Sequence, residues 1–297
     1  MTLLPRVVVV HRRSELDELI DRHGTRGQVE FFLRTRGRSL ADLQARHDAL
    51  GAALRCASAA IPTDWRRGWA EREDLPRFDF DLGDVVVVVG PDGLVANTAK
   101  YLEGQPVIGV DPEPGRGLGA LARHPATAIG GLLGEVHRGR VTVEARTMVR
   151  ASLDDGTTLD ALNDIYVGQA GHQSARYELR RSDGKREAQS SSGLIVSTGT
   201  GATGWAASIV GERGRSPRLP SATSDELAWF VREAWPSPLT GTSLTSGALP
   251  MGDSLDILTQ SDTLVTFGDG IEGDRLLARW GQLIHLEASP RRLHLVP

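Results

Sequence analysis

Two kinds of apolar pattern divide the chain. Up to about residue 125 the apolar residues come in short unbroken runs: RVVVVH (6–11), the stretch from Asp84 to Val89, and PVIGV (106–110). A run without polar alternation is the mark of a strand covered on both faces. Helix signals lie between the runs. Ser14 precedes the amphipathic ELDELIDRH, and a second helix is expected over 28–36. A third opens at Ser39, where SLAD resembles a capping box, runs toward Ala60 and is stopped by Pro62. Leu94–Leu102 reads as a further helix. Strands that alternate with helices predict a parallel α/β sheet. The two tryptophans of TDWRRGWAERED are expected in its core.

After about residue 139 the runs give way to alternation, as in VTVEARTMVRASL. DDGT and SDGK are turns, the second joining a hairpin, and NDIYVG and SSGLIVST read as strands. A polar linker over 211–224 leads to DELAWFVREAW, expected to be a short helix. SLDILT, TLVTFGD, LIHLEA and RRLHLV return to strand-like patterns. The expected fold class is an α/β N-terminal domain over 1–127 followed by a β-rich C-terminal domain over 128–297.

Composition narrows the function. With 297 residues, 40% hydrophobic and 24% charged, the chain can bury two cores. A net charge of −4 argues against a basic nucleic-acid or membrane-surface binder. Local clusters such as Arg34, Arg36 and Arg38 read as solvated faces. No run of about 18 apolar residues is present, and MTLLPRVVVVHRR shows no leader pattern. The expectation is a cytoplasmic protein. The single cysteine, Cys56, excludes a Cys-cluster metal site and an internal disulfide. There is no P-loop pattern, no G-x-S-x-G elbow and no metal-spaced histidine pair, and His172 reads as a loop residue.

Three stretches carry candidate chemistry. In VVVVVGPDGL a buried strand delivers Asp92 to a turn between Gly90 and Gly93, at the start of a helix. Ligands of parallel sheets bind at such places, although an aspartate there can also be a plain helix cap. In SSGLIVSTGTGATGW the spacing of Gly199, Gly201 and Gly204 matches G-x-G-x-x-G. The hairpin before it and the linker after it do not make a βαβ unit, so a dinucleotide-binding fold is not expected from this match. Ser197, Thr198, Thr200 and Thr203 still form a hydroxyl-rich turn suited to ribose, phosphate or amide groups, or to no ligand at all. In LNDIYVG, Asn163 and Asp164 stand where a strand begins, a place for ribose recognition or for a turn cap.

In order and spacing these stretches resemble the ATP-dependent NAD kinase family: GPDGL (90–94) for a GGDGT turn, ND (163–164) for an Asn–acidic pair, and SGLIVSTGTGAT (192–203) for the Ser/Thr–Gly loop. The wording around Trp205, HGTRGQVEFFLRTRG and QPVIGVDPEP look most like the mitochondrial-type branch. The resemblance covers roughly residues 6–210. It implies the two-domain architecture shared with diacylglycerol kinases, transfer of the γ-phosphate of ATP with Mg²⁺ to the adenosine 2′-hydroxyl of NAD, and a homo-oligomer, a dimer. It implies that Asp92 is the general base and that Gly90, Gly93 and Leu94 line the phosphate turn. It implies that Asn163 and Asp164 hold a ribose of NAD and that Ser197, Thr198, Thr200, Gly201 and Thr203 meet the adenine end beside Trp205. Asp269 in FGDG resembles a late family aspartate that reaches the site. Four positions differ from the family pattern: Pro91 stands for Gly, Leu94 for Thr, Asp164 for Glu and Asp111 for Asn. A kinase acting on another small hydroxyl compound and a non-catalytic NAD(P) binder are the other readings. A lipid acceptor is disfavoured, because the related lipid kinases lack the TGTG loop.

Overall fold

A computed structural model describes residues 4–115, 119–214 and 217–297. The chain forms two compact units, Met1–Glu144 with His294–Pro297, and Ala145–Leu293.

The first unit contains β1 (Arg6–His11), α1 (Glu15–His23), α2 (Arg26–Arg34), α3 (Leu40–Ala60), β2 (Arg66–Glu71), β3 (Val85–Val89), α4 (Asp92–Ala99), β4 (Pro106–Asp111), the two-residue β5 (His124–Pro125) and α5 (Ile129–His137). Its strands pair in parallel in the order β2-β1-β3-β4, with β5 beside β4. The unbroken valine runs occupy the two central strands, where every residue from Val7 to Val10 and from Val86 to Val89 is fully buried. Ser14 closes a capping box with Asp17 and starts α1 as expected. α2 begins at Arg26 behind the cap Thr25, two residues earlier than the apolar pattern suggests. Ser39 caps α3. One expectation fails here. RRGWAE is strand β2 at the sheet edge, and Trp69 is 43% exposed rather than core, because an edge strand has a neighbour on one side only. Trp65 packs partly buried against the core as expected.

The second unit, from Ala145, is all but free of helix. Its strands are β6 (Glu144–Leu153), β7 (Thr158–Ala161), β8 (Asp164–Gly168), β9 (Ala175–Arg181), β10 (Arg186–Ser191) and β11 (Leu194–Ser197). After α6 (Trp205–Arg213) come β12 (Leu227–Val231), β13 (Ser246–Leu249), β14 (Ser254–Thr259), β15 (Thr263–Gly268), β16 (Ile271–Arg279) and β17 (Leu283–Leu295). One sheet runs β13-β12-β11-β8-β15-β16, and the other joins β10, β9, β14, β17, β6 and β7. Side chains from both sheets meet in one core that includes Tyr177, Trp229, Leu255 and Ile284.

DELAWFVREAW is not a helix. Leu227–Val231 is a strand with every residue fully buried, paired to β11 on one side and β13 on the other. Leu227, Trp229 and Val231 enter the core between the sheets, while Ala228 and Phe230 pack with Ile209 of α6 on the other face. A strand apolar on both faces has no alternation to show, and at five residues it looks like one face of a helix. Of the expected linker, 211–213 closes α6, and residues 215–216 lie outside the described residues.

Candidate functional site

In the first unit the sequence pattern and the fold converge at the carboxyl ends of β1, β3 and β4. The strand order changes direction between β1 and β3, and at such a point the ends of neighbouring strands leave a crevice. A cleft of about 560 Å³ lies there. Arg12 and Arg13 follow β1, Gly90, Pro91, Asp92 and Gly93 follow β3, and Asp111 and Glu113 belong to the end of β4.

The Gly90 N–H donates to Val110 O at 3.0 Å, which ties the turn to β4. Pro91, in an extended conformation, caps α4, and the Leu94 N–H donates to Pro91 O at 2.8 Å. Leu94 is 2% exposed and covers Gly90 so closely that a Cβ there would lie 2.8 Å from Leu94 Cδ2. The structure therefore puts Leu94 in the core and not in the lining of the cleft. Asp92 is the first residue of α4. Its Oδ1 accepts the N–H groups of Leu121 at 3.0 Å and Ala122 at 2.7 Å, and its Oδ2 accepts that of Ala120 at 3.0 Å. The aspartate side chain therefore does not cap its own helix; it organises a neighbouring loop.

That loop can lie there because of Gly109, a residue the motif reading missed. A Cβ at 109 would stand 2.0 Å from Leu121 O. The signal was present, since a glycine inside a buried valine-rich strand marks a close backbone approach.

In the second unit, Asn163, Asp164, the 197–203 turn and Asp269 come together. Asp269 Oδ2 accepts Leu162 N–H at 2.9 Å and its Oδ1 accepts Asn163 N–H at 2.7 Å, while its own N–H donates to Asp164 O at 3.0 Å. Thr198 N–H donates to Asn163 O at 2.9 Å, and Thr198 Oγ1 donates to Leu162 O at 2.5 Å while accepting from Thr200 and Gly201 N–H. Ser197 Oγ and Thr203 Oγ1 also have backbone partners. Of the four hydroxyls, only Thr200 Oγ1 is buried with no hydrogen-bond partner. An orphan buried hydroxyl costs roughly 1–3 kcal/mol, so Thr200 Oγ1 is free to take a further partner.

The G-x-G spacing has a steric cause. A Cβ at Gly199 would stand 1.8 Å from Ser221 O, and one at Gly201 2.2 Å from Asn163 O. β11 pairs antiparallel with both β8 and β12, so no βαβ unit exists around it. Trp205 stacks on Tyr166 at 6.0 Å between centroids, with the Arg232 guanidinium 5.1 Å from its ring. Burial, reinforced by the charge of Asp269, pushes the Asp164 carboxyl up to about 7. His172 stands exposed in the 169–174 loop.

A parallel-sheet unit with an anchored carboxylate after a central strand, together with a β-rich unit that carries a tight hydroxyl turn, is consistent with the two-domain architecture of NAD kinases. No family model matches the chain. It is 33% identical to the NAD kinase of Alcanivorax borkumensis over 227 residues, 72% of this chain and 69% of that protein. It is 30% identical to the NAD kinase of Nitratidesulfovibrio vulgaris over 213 residues, 69% of this chain and 70% of that one. The NAD kinase of Clostridium kluyveri matches at 28% identity over 128 residues, so there the chain spans only 44% of the relative's length. The chain belongs to the NAD kinase family.

Proposed function

We propose that the protein transfers the γ-phosphate of ATP to the adenosine 2′-hydroxyl of NAD, giving NADP and ADP. The observation that carries this reading is Asp92, a carboxylate on the lining of the first unit's cleft, held by three backbone N–H groups. Oδ2 accepts only one of these bonds, so it keeps lone-pair capacity for a substrate proton. In the proposed step Asp92 takes the proton of the 2′-hydroxyl as that oxygen bonds to the γ-phosphorus. The bond from phosphorus to the β–γ bridging oxygen breaks, and ADP leaves with the electron pair. Positioning and electrostatics dominate such transfers, so one well-placed base suffices.

Asn163 and Asp164 would hold a ribose of NAD, and Thr200 Oγ1 is the hydroxyl of its turn with a hydrogen bond to give. Ser197, Thr198, Gly201 and Thr203 shape that turn, Trp205 walls it, and Asp269 orients the Asn163–Asp164 corner. Trp205 within SSGLIVSTGTGATGW supports a place in the mitochondrial-type branch. Among the described residues no group of three His, Cys, Asp or Glu side chains could hold a metal ion. Magnesium would arrive as part of the substrate, on the phosphates of ATP. Among the described residues no helix is long and apolar enough to cross a membrane. Trp235 at 69% exposure, Leu239 at 86% and Trp280 at 72% are exposed apolar side chains, and a homodimer is part of the proposal.

Purified wild type and Asp92→Asn, given ATP, Mg²⁺ and NAD, test the reading through NADP read by an NADP-specific dehydrogenase. The variant should lose about 10²–10⁴-fold in turnover, the usual worth of a general base, while calorimetry shows NAD still bound. Because an amide nitrogen would face the Ala120 N–H, a melting curve must confirm the fold. An Asp92→Asn enzyme that is folded and fully active would sink the assignment.

A further inference from the structure

The cleft of the first unit has a cationic wall that the proton transfer at Asp92 does not use. Arg12 and Arg13 follow β1 and Arg46 comes from α3, and all three line the space beside the Gly90–Gly93 turn. Arg13 is neutralised by Asp21 at 2.5 Å. Among the described residues Arg12 and Arg46 form no ion pair. Their acidic neighbour Glu15 is held by both arms of Arg38, at 2.5 and 2.9 Å, which leaves the other two guanidinium groups with donors to spare.

The turn itself is poor in donors. Pro91 has no N–H, the Gly90 N–H is committed to Val110 O, and the Leu94 N–H is committed to Pro91 O. Leu94, where the family pattern has a threonine, is buried and has no hydroxyl to give. At most the N–H groups of Asp92 and Gly93 remain at the start of α4. Two amides do not balance a chain of phosphates, and Asp92, Asp111 and Glu113 on the same lining add negative charge. Magnesium on the phosphates would offset part of that charge, and planar guanidinium groups, which match phosphate oxygens in pairs, can supply the rest.

We propose that Arg12 and Arg46, on the same lining, clamp an oligophosphate chain in this cleft and replace the donors the turn has lost. The proposal rests on the reading of this cleft as the place of the phosphate donor. The recognised chemistry is a run of linked phosphates, carried on a nucleoside or free as inorganic polyphosphate.

Calorimetry of the full chain with inorganic tripolyphosphate, ATP and adenosine tests it, using wild type, Arg12→Ala, Arg46→Ala, the double variant and Arg46→Lys. Both arginines are exposed, so melting temperatures should not move. Each alanine variant should lose about tenfold in tripolyphosphate affinity, a modest charge-assisted contact, and the double variant more. Arg46→Lys should fall between, keeping the charge without the fork. ATP bound more tightly than tripolyphosphate identifies a nucleoside-borne chain; equal binding identifies the free polymer, and either supports the clamp. Tripolyphosphate that fails to bind wild type, or binds the double variant equally well, overturns it. NADP formation measured on the same proteins separates the two readings. An active double variant with an unchanged KM for ATP removes the clamp and leaves the kinase. Arginine-dependent tripolyphosphate binding by a wild type that makes no NADP keeps the clamp and removes the kinase.

Discussion

Asp164 shows how one carboxyl can be costly by design. It is partly buried, and its neighbour Asp269 sits in the left-handed region at φ 54°, a conformation aspartate tolerates better than most residues. From there Asp269 spends its oxygens on the Leu162 and Asn163 N–H groups. Burial first, and then the charge of Asp269, lift the Asp164 carboxyl from 3.8 to about 7. The sign follows from linkage. Between these values the folded protein binds a proton that the unfolded chain has released, so stability falls as pH rises through this window and levels off above it. Asp164→Asn has no charge to bury. In the absence of ligand it should melt higher than wild type at pH 8, with the advantage shrinking as pH falls toward 4, the ordinary carboxylate range. Melting curves across that range decide the matter. An offset independent of pH would show that Asp164 is not desolvated in the folded protein.

At the scale of elements, a strand, a loop and a helix start depend on one another. β4 has a glycine at 109, the 120–122 backbone fits against it, and that backbone holds Asp92 at the head of α4. Gly109→Ala would drive a methyl group into Leu121 O, which is backbone and cannot swing aside. The expected cost is about 1–3 kcal/mol of stability, the usual range for overpacking. Turnover should fall further than stability, because the displaced loop no longer positions Asp92. Thermal melts and NADP assays on the same preparation check both halves, and an unaffected turnover would break the link. The sequence made much of this legible. Valine runs gave the buried parallel strands, Ser14 and Ser39 gave the helix starts, and Asp92 stood out at its turn. What stayed hidden was hidden for physical reasons. Leu227–Val231 is buried on both faces and so has no strand-like alternation. Trp69 is large and apolar but lies on an edge strand. Most of the hydroxyls in STGTGAT serve the turn itself, and only the hydrogen bonds reveal that Thr200 is the spare one.

At the scale of the whole chain, the first unit is not contiguous in sequence. His294–Pro297 belong to it, although 149 residues, Ala145–Leu293, intervene. His294 and Leu295 pair in parallel with Pro106 and Val107, and Val296 N–H donates to Val107 O at 2.8 Å. His294 Nδ1 lies 2.8 Å from Gly104 O, and His124 Nε2 lies 3.2 Å from Val296 O. Leu295 and Val296 are fully buried, and Val296 packs in the same core as Val87 and Ile108. Removing residues 294–297 should therefore weaken a unit whose other residues are all more than 140 positions away in the chain. Two buried aliphatic side chains, at about 1.5–3 kcal/mol each, make the loss roughly 3–6 kcal/mol, a large part of a typical domain's stability of about 5–15 kcal/mol. Hydrogen exchange resolved by segment tests this directly. Protection should drop in β3 and β4, including the strand that carries the Asp92 turn, while β9, β11 and β14 in the second unit keep theirs. Equal loss in both units would mean that they unfold as one body, and no loss in β3 and β4 would mean that the returning strand contributes nothing to the sheet that holds the candidate base.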